Sequence, residues 1–167
     1  MDGAGIDLIL SDVLSCTRTH YLGVFALDQI PLTPLHFPCA YVANTDPSTL
    51  PGTHWVAFYL DSPTQLTFFD SYGCTPQFYN FALSPDLNSI HSNSYPIQQL
   101  HTSVCGQYCI YFLYHRSRCT PLSTIISALR RISNPDNFVQ LFVAKLRSKL
   151  TSDHHSCFTH QCAKMKE

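Results

Sequence analysis

The chain lacks an excess of charge of either sign. Its formal net charge is −1 and its pI is about 6.7. That balance argues against a strongly basic nucleic-acid binder and gives no electrostatic pull toward an anionic membrane. No run is long and apolar enough to span a bilayer, so no membrane partner is expected. The first residues, MDGAGIDLILSDVLS, carry acids where a secretion signal would carry bases. The chain therefore reads as intracellular and not secreted. No segment repeats another. What remains is a sequence of 167 residues, 45% hydrophobic, with a mean hydropathy near zero. A chain of that length is most simply one soluble domain with a substantial core, and a monomer. The eight cysteines are irregularly spaced, and several lie in apolar runs. Free thiols are the expectation for them.

The strands are expected early and the helices late. Residues 6–15 carry Ile6, Leu8, Ile9, Val13 and Leu14 in helical rhythm. The segments 21–31 and 39–45 read as strands, the first running into a Pro-rich turn. HWVAFYL (54–60) and QLTFFD (65–70) are apolar and aromatic, and Asp61-Ser62-Pro63-Thr64 turns between them. They form the strongest hairpin signal in the chain. Residues 76–83 read as a short helix and 94–100 as an edge strand, since Pro96 disfavours a central one. From Cys105 to His115 the chain is apolar on nearly all sides, the mark of a buried helix that Thr102 or Ser103 could cap. Thr120-Pro121 and Asn134-Pro135 signal the starts of two more helices. Residues 151–167 lose all periodicity and are expected to form a disordered tail. The whole is an α+β arrangement, with the domain spanning 1–150.

One feature of this layout is chemical. Cys105 stands at the start of the buried helix, where unpaired N–H groups and the positive end of the helix dipole favour a thiolate. Gly106 is expected to leave the approach to its sulfur open. A thiolate nucleophile needs a base, and the base needs an orienting acceptor. His54 opens the first hairpin strand and Asp70 closes the second. The turn alone brings these two side by side. Trp55 could shield the pair from water or simply pack. The backbone N–H of Cys105 supplies one donor for an oxyanion, and a side-chain amide from Gln98 or Gln99 could supply another.

Each residue has a plainer reading. Cys105 could be a small core residue, and Asp70 a turn former before Ser71-Tyr72-Gly73. Cys109, one turn on, reads as core. Cys16, Cys39 and Cys119 read as structural or incidental. His101 lies in a polar run, and His36 in a Pro-rich loop without a visible partner. His154, His155, Cys157, His160 and Cys162 offer five zinc-ligand types in the tail. Their spacing fits no common structural zinc pattern, so no metal and no cofactor is expected.

In order, THWVAF, FFDSYG, PIQQL and SVCGQYC resemble the motifs of the adenovirus-type (adenain-like) cysteine protease family, distant relatives of the proteases specific for ubiquitin-like proteins. YLGVFALDQIP and CAYVANTD resemble segments from the front of those viral enzymes, so the resemblance covers residues 6–150. It implies a papain-like cysteine protease fold with the order permuted to His–Asp–Cys and a small central mixed sheet against helices. It implies a cysteine endopeptidase that cuts after glycine, with His54 as base, Asp70 as orienter, Cys105 as nucleophile and Gln98 as oxyanion donor. Gln98 lies seven residues before Cys105, the viral spacing, whereas Gln99 lies six before, the spacing of the ubiquitin-like-protein proteases. The substrates would be capsid or core precursor polypeptides, and the location a host nucleus or a virion. Viral members are basic, use DNA, and in the best-known case take an activating peptide through a disulfide. Here only Arg130, Arg131, Lys145, Arg147 and Lys149 give local positive charge. Cys74 is the lone cysteine between Asp70 and Gln98, beside the wrong partner for that tether. A deubiquitinase or deSUMOylase, and a non-catalytic binding module on the same scaffold, are the alternatives. Asp70→Asn would be mild on this reading, because Asn can still hold an imidazole.

Overall fold

The computed structural model describes residues 1–152. Helix α1 (Gly3–Ser15) is followed by strands β1 (His20–Phe25), β2 (Cys39–Asn44), β3 (Trp55–Ser62), β4 (Gln65–Phe69) and β5 (Ser89–Ser92). Helices α2 (Cys105–Arg116), α3 (Leu122–Arg130) and α4 (Pro135–Ser152) complete it. The strands form one mixed sheet in sequential order. The inner pairs β2–β3 and β3–β4 are antiparallel, while the outer pairs β1–β2 and β4–β5 are parallel. Among the described residues, no helix is long and apolar enough to cross a membrane.

The period-2 alternation of strand side chains splits the core in two. Ala40 and Val42 of β2, with Ala57 and Tyr59 of β3, face α1, α2 and α4 in the larger cluster. Tyr41, Val56, Phe58, Leu60 and Phe68 point to the other face, onto Ile30 and Phe81. Helix α2 is the pivot, with Tyr108, Ile110, Phe112 and Leu113 essentially sealed from solvent. At its far end the Arg116 guanidinium grips both carboxylate oxygens of Asp61, at 2.6 and 2.7 Å, and lies over Tyr59. That clamp ties the end of α2 to the end of β3. The two elements therefore run the same way, and the start of α2 comes to the start of β3.

Several local expectations are corrected. The segment 21–31 is a strand only to Phe25, followed by a 3-10 turn at Leu27–Gln29. Residues 76–83 shorten to a 3-10 helix at Pro76–Tyr79. The hairpin turn is tighter than expected, since β3 continues to Ser62 and pairs it with Gln65. Residues 94–100 are irregular, and the edge strand is β5, just upstream. No side chain caps α2: Val104 holds the cap position, and the Thr102 hydroxyl bonds elsewhere. Pro121 takes the cap position of α3 in place of Thr120. At α4 the Asn134 side chain caps as its sequence suggests, accepting from the Asn137 N–H. Cys16 and Cys119 are disulfide-bonded, against the expectation of free thiols, whereas Cys39, Cys74, Cys105 and Cys109 are free. The tail with its zinc-ligand types lies outside the described residues, except that α4 carries on through 151 and 152.

Candidate active site

The β3–β4 hairpin positions the His and the Asp. Ala57 lies opposite Phe69, so the residue after β4 faces the start of β3. His54 is held one step outside the strand by its carbonyl, which accepts from the Thr45 N–H at 2.9 Å. From there His54 Nε2 bonds Asp70 Oδ1 at 2.6 Å. Both side chains are buried, Asp70 completely. With Nε2 engaged, Nδ1 is the ring nitrogen left for the Cys105 thiol.

Asp70 is more heavily bonded than a turn residue needs to be. Its Oδ1 also accepts from the Tyr72 N–H at 3.1 Å. Its Oδ2 accepts from the Cys74 N–H at 2.8 Å and the Tyr79 hydroxyl at 3.0 Å. Asn93 brackets its backbone, accepting from the Asp70 N–H and donating to the Asp70 carbonyl. Gly73 closes the turn with φ +77, and a Cβ there would lie 2.6 Å from the Tyr95 backbone. Only glycine combines that conformation with that approach.

The electrostatics follow from this burial and bonding. Burial alone would raise the Cys105 pKa. The His54 hydrogen bond, the Trp55 backbone N–H, the His54 charge and the Gly106 N–H outweigh it and hold the thiol below its ordinary value. Burial alone would lower His54, but hydrogen bonds to Asp70 and Cys105 and their charges lift it to about 9. Burial likewise pushes Asp70 up, and the His54 bond and charge with the Tyr72 and Cys74 N–H groups bring it down. Both shifts favour a thiolate on Cys105 and an imidazolium on His54, with a carboxylate behind the ring. Cys109, one turn along, is fully buried, and that burial drives its thiol well above the ordinary value. It is a core residue.

Of the two glutamines, Gln98 is buried and Gln99 exposed. The Ser71 carbonyl accepts from the Ile97 and Gln98 N–H groups, which docks this loop beside the Asp70 turn. The Gln98 carboxamide accepts from the Ser71 hydroxyl at 2.7 Å. It donates to the Thr102 carbonyl at 2.6 Å and to the Tyr72 hydroxyl at 3.1 Å. Tyr72 in turn stacks on His54, ring centroids 4.8 Å apart. The loop is pinned from behind by Asp136, at the start of α4. Its carboxylate accepts from the Gln99 N–H, the Thr102 hydroxyl and the Tyr108 hydroxyl.

Other expectations resolve differently. Gly106 is buried, and a Cβ on it would meet Ile6 Cδ1 at 2.9 Å. It serves the close approach of α1 to α2 and does not open a path to the sulfur. The Trp55 ring packs on the start of α1 and donates to the Met1 carbonyl, while its backbone N–H is what reaches Cys105. His101 is exposed, as its polar run suggests. His36, expected to be without a partner, stacks on His20. Asn93, Tyr79, Tyr72, Ser71 and Asp136 were not foreseen from the sequence. A short Asn-x-Tyr loop carries no periodic signal, and Asp136 looks like an ordinary first-turn acid. Among the described residues no group of three or more His, Cys, Asp or Glu could hold a metal ion.

No family model and no curated protein matches this chain. Among solved structures it is similar to the central domain of an uncharacterized protein, Lpg1148, from Legionella pneumophila. The TM-score is 0.57 and the identity 16%, covering 92% of this chain and 98% of that one. At that identity the likeness concerns the fold, a five-stranded mixed sheet packed against helices.

Proposed function

We propose that the chain is a cysteine endopeptidase of the adenain-like type, with a papain-like fold in the permuted order His54–Asp70–Cys105. The observation that carries this reading is one buried line of groups. A carboxylate with four hydrogen-bond donors holds an imidazole at 2.6 Å, and that imidazole faces a thiol at a helix start whose pKa is depressed.

The chemistry follows from the parts. The Cys105 thiolate attacks a substrate carbonyl carbon, and the carbonyl π pair moves to oxygen. The Cys105 N–H and the Gln98 side of the site stabilise that oxyanion. As the tetrahedral intermediate collapses, the protonated His54 gives its proton to the leaving amine, and a thioester remains on Cys105. Neutral His54 then takes a proton from water, the water oxygen attacks the thioester, and the acid product leaves with the thiolate restored. Asp70 keeps the ring oriented and supports its positive charge throughout.

The substrate class rests on the family resemblance: viral or virus-like precursor polypeptides cut after glycine, in a host nucleus or a virion. The inward position of Gln98 favours this branch over a deubiquitinase or deSUMOylase, whose spacing would call on Gln99. The test is turnover of fluorogenic peptides with glycine before the scissile bond. The unaltered chain should cleave them and Cys105→Ala should not. Equal turnover by the Cys105→Ala variant would refute the proposal.

A further inference from the structure

The buried Gln98 amide has little left to give an oxyanion. Its two N–H groups are spent on the Thr102 carbonyl and the Tyr72 oxygen, and its carbonyl is taken by Ser71. The Thr102 carbonyl can only accept, so the amide cannot be turned round without placing oxygen against oxygen. Among the described residues, the Tyr72 hydroxyl makes no hydrogen bond besides the one it accepts from Gln98. Its proton is therefore uncommitted. The phenol ring is fixed on two sides. It stacks on His54, and its backbone N–H bonds the carboxylate that orients His54.

We infer that the Tyr72 hydroxyl is a catalytic donor of the oxyanion site, with Gln98 behind it as a positioning residue. This inference rests on the peptidase reading and gives a role to a residue that lies within FFDSYG but to which the motif assigned none. Tyr72 also senses the nucleophile. Burial raises its pKa first, and the Cys105 negative charge raises it further. The phenol thus stays protonated at neutral pH. A hydroxyl that already accepts a hydrogen bond is polarised to donate a stronger one. As the substrate carbonyl oxygen gains charge, it can take the Tyr72 proton as a hydrogen bond without breaking any bond of the ground state.

Tyr72→Phe keeps the stacked ring and removes only this donor. With a fluorogenic glycine-ending peptide, kcat should fall about a hundredfold, the typical loss for one oxyanion donor, and KM should stay within about twofold. Alkylation of Cys105 by iodoacetamide builds no oxyanion, so its rate should be unchanged. Binding of a peptide aldehyde ending in glycinal, which does build one, should weaken by a factor similar to the loss in kcat. A kcat within threefold of the unaltered chain would overturn the inference. So would a parallel loss of alkylation, since that would make Tyr72 merely a support for His54. If the unaltered chain alkylates at Cys105 yet cleaves no peptide, the peptidase reading fails and this inference falls with it.

Discussion

At the scale of single residues, the carboxylate of Asp70 decides more than its identity suggests. From the sequence an Asn would serve there, because Asn can also accept from an imidazole. The structure changes that expectation. Both oxygens face donors, and the Cys74 N–H and Tyr72 N–H cannot reverse. An Asn must aim its NH2 at one of them, leaving a buried donor opposed. We expect Asp70→Asn to cost about 1–3 kcal/mol in stability and to be strongly impaired in turnover. A thermal melt beside a rate measurement checks both, and a variant of unchanged Tm would speak against this bonding. The pKa pattern sets a pH window. Cys105 lies below its ordinary value, so the acid limb of kcat/KM should lie below that of a free thiol, near 8.5. His54 lies at about 9, so activity should fall as pH rises through about 9 and the imidazolium proton is lost. The same sign governs stability. A folded pKa above the unfolded value near 6.5 stabilises fully below about pH 6.5, and that contribution fades by about pH 9. Asp70 works in the opposite sense, its contribution fading as pH drops below the ordinary carboxylate range. An alkaline limb near 7 in the rate profile would contradict the pairing of His54 with Asp70. The glutamines give a third expectation. Gln98→Ala should lower kcat about a hundredfold, because the bonded end of the oxyanion site loses its support, whereas Gln99→Ala, with its side chain in solvent, should be mild. Kinetics of the two variants showing the reverse order would shift the site to the register of the ubiquitin-like-protein proteases.

At the scale of elements, the hairpin carried most of what could be read in advance. Strands β3 and β4 follow from continuous runs of apolar, aromatic and β-branched residues, and the adjacency of His54 and Asp70 follows from the turn between them. Helix α2 was equally legible from its apolar run, and so was the placing of Cys105 at its start. What could not be read depends on contacts distant in sequence. β5 is a four-residue strand, SIHS, with only one apolar residue, and its place is fixed by pairing with β4. The Asp136–Thr102–Tyr108 network joins two helices and the loop before α2, with no local mark. The disulfide state of Cys16 and Cys119 is set by which chain segments meet, and irregular spacing does not reveal it. Gly106 belongs to the same class, because its role appears only once α1 lies on α2. Gly106→Ala would press a methyl group against the buried Ile6. Overpacking of this kind costs about 1–3 kcal/mol, so Tm should drop while any protein that stays folded keeps its Cys105 reactivity. An unchanged Tm would show that the interface has room the geometry denies.

At the scale of the molecule, the sheet and helix α2 act as a frame for one meeting point. The Arg116–Asp61 clamp at one end sets the direction of α2 along β3. At the other end that alignment delivers Cys105 to His54, while α4 and the Asp136 network hold the Gln98 loop against the Asp70 turn. The similar solved domain resembles this fold at 16% identity; a fold does not by itself fix an activity, and the proposed activity stands on the residues at its mouth. The most direct measurement is therefore covalent. A peptide ending in glycine with a vinyl methyl ester in place of the scissile carbonyl would be incubated with the purified chain, and the modified residue mapped by mass spectrometry. The account predicts one label, on Cys105, that His54→Ala abolishes and the unreactive Cys109 never receives. Labelling at Cys74 or Cys109, or labelling of Cys105 that survives His54→Ala undiminished, would contradict it.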